Sequence, residues 1–316
     1  MTGEIQVRRV FINELIKQSR TNKNIYLLVA DVGYNLVEPF QQEFPDRFIN
    51  VGIAEQAMIG IASGLAMKGK KVFCYSLGNF PTLRCLEQIR NDVCYHNLDV
   101  KIVNSGTGLY YGALGSSHHA TEDIAVMRSL PNMTVISPCD GGETIQAMNY
   151  SFGNTVPVYL RLQGSNDKEL YYHGVYGQRG IYTIKDLLWH KDYIGSIIAC
   201  GSIVGEAEKA GKLLQDSGLK VNVISSPCIK PIDEHGIKRI SDRCIFTVEE
   251  HNLSGGLGSA VLEAISDMGL NTRVVRIGLQ DKFVKEVGSQ EYLRKLNGLG
   301  AESISNKIKE VLLVGS

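Results

Sequence analysis

The sequence predicts a two-domain α/β protein in which each domain is a mainly parallel sheet flanked by helices. Three observations carry that expectation. Short runs rich in β-branched and aliphatic residues alternate with longer helical segments, the pattern of strands covered on both faces by crossover helices. The alternation breaks between residues 164 and 192, in a stretch rich in tyrosines and turn formers, and then resumes on a smaller scale. Finally, 316 residues, 44% of them hydrophobic, are enough for more than one sizeable core. The expected organisation is a first domain over residues 1–165, a linker over 166–189 and a second domain over 190–316.

Taken in order, the first domain's strands are expected at 25–31, 72–76, 100–104, 134–137 and 158–162, most of them followed by a helical segment. The second domain's strands follow at 196–200, 220–225, 245–248 and 273–277, with helices at 204–217, 256–268 and 302–313. Residues 54–68, AEQAMIGIASGLAMK, stand apart, being apolar almost all round with Gly60 and Gly64 four apart beside Ala57 and Ser63. Each glycine costs up to about 1 kcal/mol of helix propensity, a cost tolerated where another backbone approaches closely. This helix is therefore expected to mediate self-association; the plainer reading is a central helix of one large domain.

Composition excludes several functions. The 33 basic and 33 acidic side chains cancel, which argues against bulk nucleic-acid or anionic-membrane binding. The apolar runs are far shorter than a bilayer span and the charged start lacks a signal-peptide pattern, so the expected location is the cytoplasm. Seven scattered cysteines, never spaced Cys-x-x-Cys, fit neither a disulfide framework nor a zinc site and read as reduced, mostly buried thiols. The loop Ser254-Gly255-Gly256-Leu257-Gly258-Ser259 lacks the Lys-Ser/Thr of a P-loop and is not read as a nucleotide site.

Among groups that could do chemistry, Glu55 opens the glycine-bearing helix. A carboxylate in a first helical turn gains roughly 0.3–1 kcal/mol from the dipole and needs no other purpose. Its neighbours on both sides are apolar, however, which places the carboxyl at the edge of a buried surface. A buried acid must be paired or carry a proton, and an acid of that kind in a crevice is a candidate proton shuttle. Asp31 closes the first strand, where α/β sheets expose ligand-facing residues. His118 and His119 follow Gly115-Ser116-Ser117 in a loop, and adjacent histidines seldom converge on one metal ion.

The run RFINVGIAEQAMIGIASGLAMKG at 47–69 resembles the segment that carries the catalytic glutamate in the pyrimidine-binding domain of thiamine-diphosphate enzymes of the transketolase group. The resemblance continues in KIVNSGTGLYYGALGSSHHATEDIAVMRSLPNMTVISPCD at 101–140, and in VEEHNLSGGLGSAVLEAI at 248–265 and RIGLQDKFVKEVG at 276–288 for the C-terminal domain. The Gly-Asp-Gly of the diphosphate-binding domain is absent from the sequence. The chain thus resembles the carboxy-terminal half of a split transketolase. This implies thiamine diphosphate as cofactor, and a diphosphate-binding N-terminal-half subunit as partner, holding Mg²⁺ through hard oxygen ligands. A heterotetramer of two copies of each chain is the implied assembly.

The same resemblance implies roles for particular residues. Glu55 matches the glutamate that hydrogen-bonds the aminopyrimidine nitrogen. Phe80, with Tyr75 behind it, is the candidate aromatic site for that ring, a core or loop aromatic being the alternative. His118 matches the histidine that contacts the sugar-derived intermediate, and a neutral imidazole there exchanges protons near pH 7. Tyr110 and Tyr111 are candidates to line the substrate channel, or else simple packing. Arg161 lies near the family's substrate-binding arginine, with an interdomain salt bridge as the equal alternative, and Asp123 reads as a helix cap. Leu114 stands where the family usually has an Asp that reads a substrate hydroxyl, which leaves the acceptor open. The implied reaction is transfer of a two-carbon ketol unit from a ketose, usually phosphorylated, to an aldehyde. Decarboxylation of a 2-oxo acid, as in deoxyxylulose-phosphate synthase or a 2-oxo acid dehydrogenase beta subunit, is a second reading; a non-catalytic regulatory subunit is a third.

Overall fold

Strand and helix alternate along most of the computed structural model, which describes residues 7–163 and 181–314. The first unit runs α1 (Val7–Thr21), β1 (Ile25–Val29), α2 (Glu38–Glu43), β2 (Phe48–Asn50), α3 (Glu55–Met67), β3 (Lys71–Leu77) and α4 (Leu86–Gln88), which continues as a π-helical turn over Ile89–Cys94. It is completed by β4 (Val100–Ser105), α5 (Asp123–Ser129), β5 (Thr134–Ile136), α6 (Gly141–Gly153) and β6 (Val158–Leu162). The second unit runs β7 (Lys185–Leu188), β8 (Gly195–Ala199), α7 (Val204–Asp216), β9 (Val221–Ser225), β10 (Cys228–Lys230), α8 (Glu234–Arg239), β11 (Cys244–Asn252), α9 (Leu257–Asp267), β12 (Val274–Leu279), α10 (Gln290–Leu296) and α11 (Ala301–Val314). Much of the stretch where the sequence rhythm breaks lies outside the described residues. Its last part is β7, which pairs with β9 as an edge strand of the second sheet although the sequence reading placed it in a linker.

The first sheet has the order β10-β5-β6-β4-β3-β1-β2 and the second β12-β11-β8-β9-β7. Among the described strands every pairing is parallel except two edges, β10 on β5 and β7 on β9. The strands are apolar on both sides, as crossover helices on both faces require. One face of the first sheet packs Phe11 and Leu15 of α1 and Ala147 and Met148 of α6 against Phe73, Val103 and Leu160. The other packs Met58, Ile59 and Ala62 of α3 and Ile124 and Met127 of α5 against Leu28, Cys74 and Ile102, and this core runs on into Val261 and Ala264 of α9. A third core lies under α7 and α11. In α7 the buried set Val204, Ala207, Ala210, Gly211 and Leu214 forms one helical stripe, and a Cβ at Gly211 would stand 2.3 Å from Val223 Cγ2, so only glycine fits there.

The two units are tied by main-chain and side-chain bonds. β10 leaves the second unit to extend the first sheet, and Lys230 Nζ donates to the carbonyls of Arg128 at 2.8 Å and Leu130 at 2.5 Å. Arg161, 2% exposed, donates Nε to Asp123 Oδ2 at 2.8 Å and Nη2 to the carbonyls of Ala120 at 3.0 Å and Glu250 at 3.2 Å. Tyr159, two positions earlier on the same face of β6, donates its hydroxyl to the same Asp123 oxygen at 2.5 Å. The guanidinium is therefore engaged inside the protein: its salt bridge is with Asp123 of its own domain, and what crosses to the second domain is its hydrogen bond to the Glu250 carbonyl, where the sequence reading offered an interdomain salt bridge as the alternative to substrate binding. Asp123 likewise is no cap: Glu122 holds the N-cap position without a side-chain cap bond, and the Asp123 carboxylate is the counter-ion of Arg161.

On β11, Glu249 accepts the amides of Leu257 at 2.7 Å and Gly258 at 3.0 Å from the start of α9. Burial nevertheless pushes its carboxyl up to about 7 from an ordinary 4.5, against the pull of those two amides. Since the folded state holds the proton more tightly than the unfolded chain, the stability this group contributes is complete below pH about 4.5 and is lost as pH rises through about 7. Urea denaturation between pH 5 and 8 should show wild type losing on the order of 3 kcal/mol that Glu249→Gln does not lose. Parallel profiles for the two proteins would contradict this. Breaking the buried ion pair with Arg161→Met should cost about 3–5 kcal/mol in the same measurement, because it strands the Asp123 carboxylate; a loss below about 1 kcal/mol would remove the pair from the account.

Candidate functional site

Strand order fixes where the site lies. From β1 the chain crosses to β2 on one side and then, through α3, to β3 on the other, and ligands of such sheets bind beyond the carboxyl ends of the strands at the point of reversal. Gly52, with φ +72°, turns the chain from β2 into α3, which starts at Glu55 without a side-chain cap. The Glu55 side chain is 2% exposed. Its Oε2 accepts Arg84 Nη1 at 2.6 Å, and its Oε1 lies 3.5 Å from the Ser76 hydroxyl at the end of β3. The acid is thus buried and paired, the first of the two outcomes its surroundings demanded.

Arg84 connects the acid to an aromatic wall. Its guanidinium carbon lies 4.4 Å from the centre of the Phe80 ring, and its side chain is 42% exposed, so the cation bridges the buried acid and the surface. Phe80 meets His118 edge-on at 5.1 Å and 66°. Tyr111 stands 6.4 Å beyond His118, and Tyr110 packs on Tyr111 at 4.9 Å. Ser117 Oγ lies 3.0 Å from His118 Nδ1, holding one side of the imidazole. The loop reaches this place because the exit of β3 gives way to it: Gly78 has φ +59°, and a Cβ there would stand 2.7 Å from the His118 carbonyl oxygen. His119 turns inward, and burial pulls its imidazole below the ordinary value.

Glu55, Phe80, His118 and Tyr110 are therefore linked through Arg84 and Tyr111 along one wall, while three other candidates stand elsewhere. Tyr75 points to the opposite face of β3 from Ser76, stacks on Phe11 at 5.9 Å and 18°, and is 1% exposed. It is a core aromatic and not a second layer behind Phe80; the period of two along a strand decides this. Asp31 lies two residues beyond the end of β1, in a left-handed conformation at φ 52°, and its carboxylate accepts Asn50 Nδ2 at 3.2 Å and the Tyr34 hydroxyl at 3.0 Å, a bracket between the ends of β1 and β2. Arg161 belongs to the buried pair with Asp123 described above. Leu114 is 56% exposed on the loop that carries His118. Sequence reasoning missed Arg84, whose signal is a lone cation at helical spacing from Phe80, and Ser76, whose parity puts it on the acid's side.

Comparison with known proteins places these features in a wider set. Residues 3–167 match the family model for the transketolase pyrimidine-binding domain, and residues 195–304 match that for the transketolase C-terminal domain. A putative transketolase C-terminal section from Methanocaldococcus jannaschii is 40% identical over 305 residues, covering 96% of this chain and 95% of that protein. One of the subunits of an apulose-4-phosphate transketolase from Actinobacillus succinogenes is 34% identical, covering 96% of this chain and 97% of that protein. Among solved structures, a split-gene transketolase described as an inactive β4 tetramer superposes with a TM-score of 0.87 at 33% identity, over 98% of this chain and 99% of that one.

Proposed function

The chain belongs to the transketolase family, and from that premise we propose that it is the half of a split ketol-transfer enzyme that activates thiamine diphosphate. The partner we assign is a separate chain carrying the diphosphate-binding domain and the Mg²⁺ that clamps the diphosphate. Among the described residues there is no group of three or more His, Cys, Asp or Glu side chains placed to hold a metal ion. The assembly we propose has two copies of each chain. Support comes from the outward face of α3, where Ala57, Gly60, Ile61, Gly64 and Met67 are exposed and, among the described residues, nothing beyond the helix's own backbone lies within 4 Å of a Cβ placed on either glycine. The compartment we assign is the cytoplasm, where the seven free thiols, six of them buried, stay reduced.

The wall at the carboxyl ends of β2 and β3 fits an aminopyrimidine. A carboxylate takes the ring's N–H or protonated nitrogen, an aromatic face takes its plane, and the group now lying over Phe80 and donating to Glu55 is itself planar and cationic. Bound there, thiamine diphosphate would supply the electron-sink chemistry that the amino-acid side chains cannot. Glu55 would hold the hydrogen bond to the ring nitrogen, and its burial would exclude the water that weakens such a bond. Phe80 orients the ring. His118, its Nδ1 engaged by Ser117, offers Nε2 for proton exchange with a hydroxyl or carbonyl of the sugar, and Tyr110 and Tyr111 line the approach. Leu114 at the mouth of the loop cannot accept a hydrogen bond from a substrate hydroxyl, so the aldehyde acceptor is read by other groups.

One observation carries this reading: an acid at 2% exposure reaches, through a single planar cation, the aromatic ring that meets the histidine. Glu55→Ala, mixed with the partner chain, thiamine diphosphate, Mg²⁺ and a panel of ketose phosphates, should assemble as wild type does in analytical ultracentrifugation. Its turnover should fall by at least the roughly 10²–10⁴-fold typical of lost acid–base groups. An assembled variant with turnover near wild type would remove the assignment.

A further inference from the structure

The loop that carries Tyr110, Tyr111, Leu114 and His118 belongs to the first domain, yet its neck is held by the second. Gly108 and Ala120 close the neck with two main-chain bonds of 3.0 Å, one in each direction. Immediately inside it, the amide of Leu109 donates to Glu250 Oε1 at 2.5 Å. Gly108 has φ +63°, and a Cβ there would lie 2.5 Å from that same oxygen, so the neck is pressed onto the carboxylate. Glu250 stands on β11, 2% exposed, and the rest of its charge is met from its own domain. Arg294 Nε donates at 2.6 Å and Nη2 lies 2.5 Å away; Gln290 Nε2 donates at 2.8 Å and 3.1 Å; the Ser202 hydroxyl donates at 3.3 Å. A second contact follows one turn further into the loop, where Gly288 donates its amide to the Gly112 carbonyl at 3.3 Å, and a Cβ on Gly112 would stand 2.4 Å from Leu293.

We infer that Glu250 is a positioning residue for ketol transfer: its carboxylate, fixed by Arg294 and Gln290, pins the neck of the His118 loop and so lets the C-terminal domain set the substrate side of the site. The physical case is that a buried acid holding four side-chain and main-chain donors cannot move without leaving them unpaired, which makes the neck a fixed point. From that point the loop runs past the Gly112–Gly288 contact to His118, whose carbonyl oxygen Gly78 approaches from the first domain. Releasing the pin leaves, among the described residues, the single long Gly288–Gly112 main-chain bond to tie the loop to the C-terminal domain. The inference rests on the reading of His118 as the residue that meets the sugar.

Two measurements separate the pin from that reading. Amide hydrogen exchange on this chain without cofactor should show residues 109–119 exchanging at least about tenfold faster in Glu250→Gln and Arg294→Met, with protection in β8 and β9 unchanged and Arg294→Lys falling between. In the complete assembly with thiamine diphosphate and Mg²⁺, the same variants should raise the KM for the ketose about ten- to a hundredfold, more than they lower kcat, as expected when a positioning contact is lost. Unchanged loop exchange overturns the inference. So does a loosened loop accompanied by wild-type KM and kcat. If the wild-type assembly transfers no ketol unit at all, the functional reading fails, and the exchange experiment still decides whether Glu250 holds the loop.

Discussion

The site depends on burying one carboxylate at the start of a helix. Glu55 gives up its hydration and is compensated by the arginine that reaches it from the surface and by the hydroxyl at the end of β3. Everything around it follows from making that placement possible. Gly52 turns the chain sharply enough for α3 to begin at the sheet's edge, and α3 lays Met58, Ile59 and Ala62 on the sheet so that its first residue cannot swing outward. The arginine that pairs the acid also covers Phe80, so the acid, the cation and the aromatic ring form one unit in which each member fixes the next.

The outward face of the same helix has the opposite character. Among the described residues, nothing packs on its glycines and its apolar side chains stand exposed, which is unusual for so apolar a segment in a globular domain. In the proposed assembly, a helix with a buried acid at its N-terminus and an open, small-residue face along its length would couple chemistry to association. The second domain contributes from the other side. Through β10, Lys230, Arg161 and Glu250 it is bonded to the elements that frame the loop, and its role in the fold is that of a brace behind the wall that carries His118.

Much of this was legible in the sequence. Alternation of apolar runs with helical segments gave both sheets, and the glycine-bearing helix and the acid at its start could be read from residue spacing alone. The lapses share a cause, which is direction. Tyr75 and Ser76 are neighbours, yet strand parity sends one into the core under α1 and the other to Glu55. Arg161 stands at a strand end, where ligand-facing residues are common, but it shares a face with Tyr159, and both are committed to Asp123. Short edge strands such as β7 and β10 carry little pattern of their own and exist because a neighbouring strand offers them a ladder. Glu250 had no sequence signal, since the amide it holds is 141 positions away and its arginine 44.

The central claim is that Glu55 acts on the cofactor's pyrimidine ring when the two chains come together. Its most direct test is the exchange of the thiazolium C2 hydrogen for deuterium, followed in the mixed assembly before any sugar is added. The account predicts rapid exchange with the wild-type chain and, with Glu55→Gln, a rate lower by about a hundredfold or more. Exchange in the Glu55→Gln assembly as fast as in wild type would contradict it.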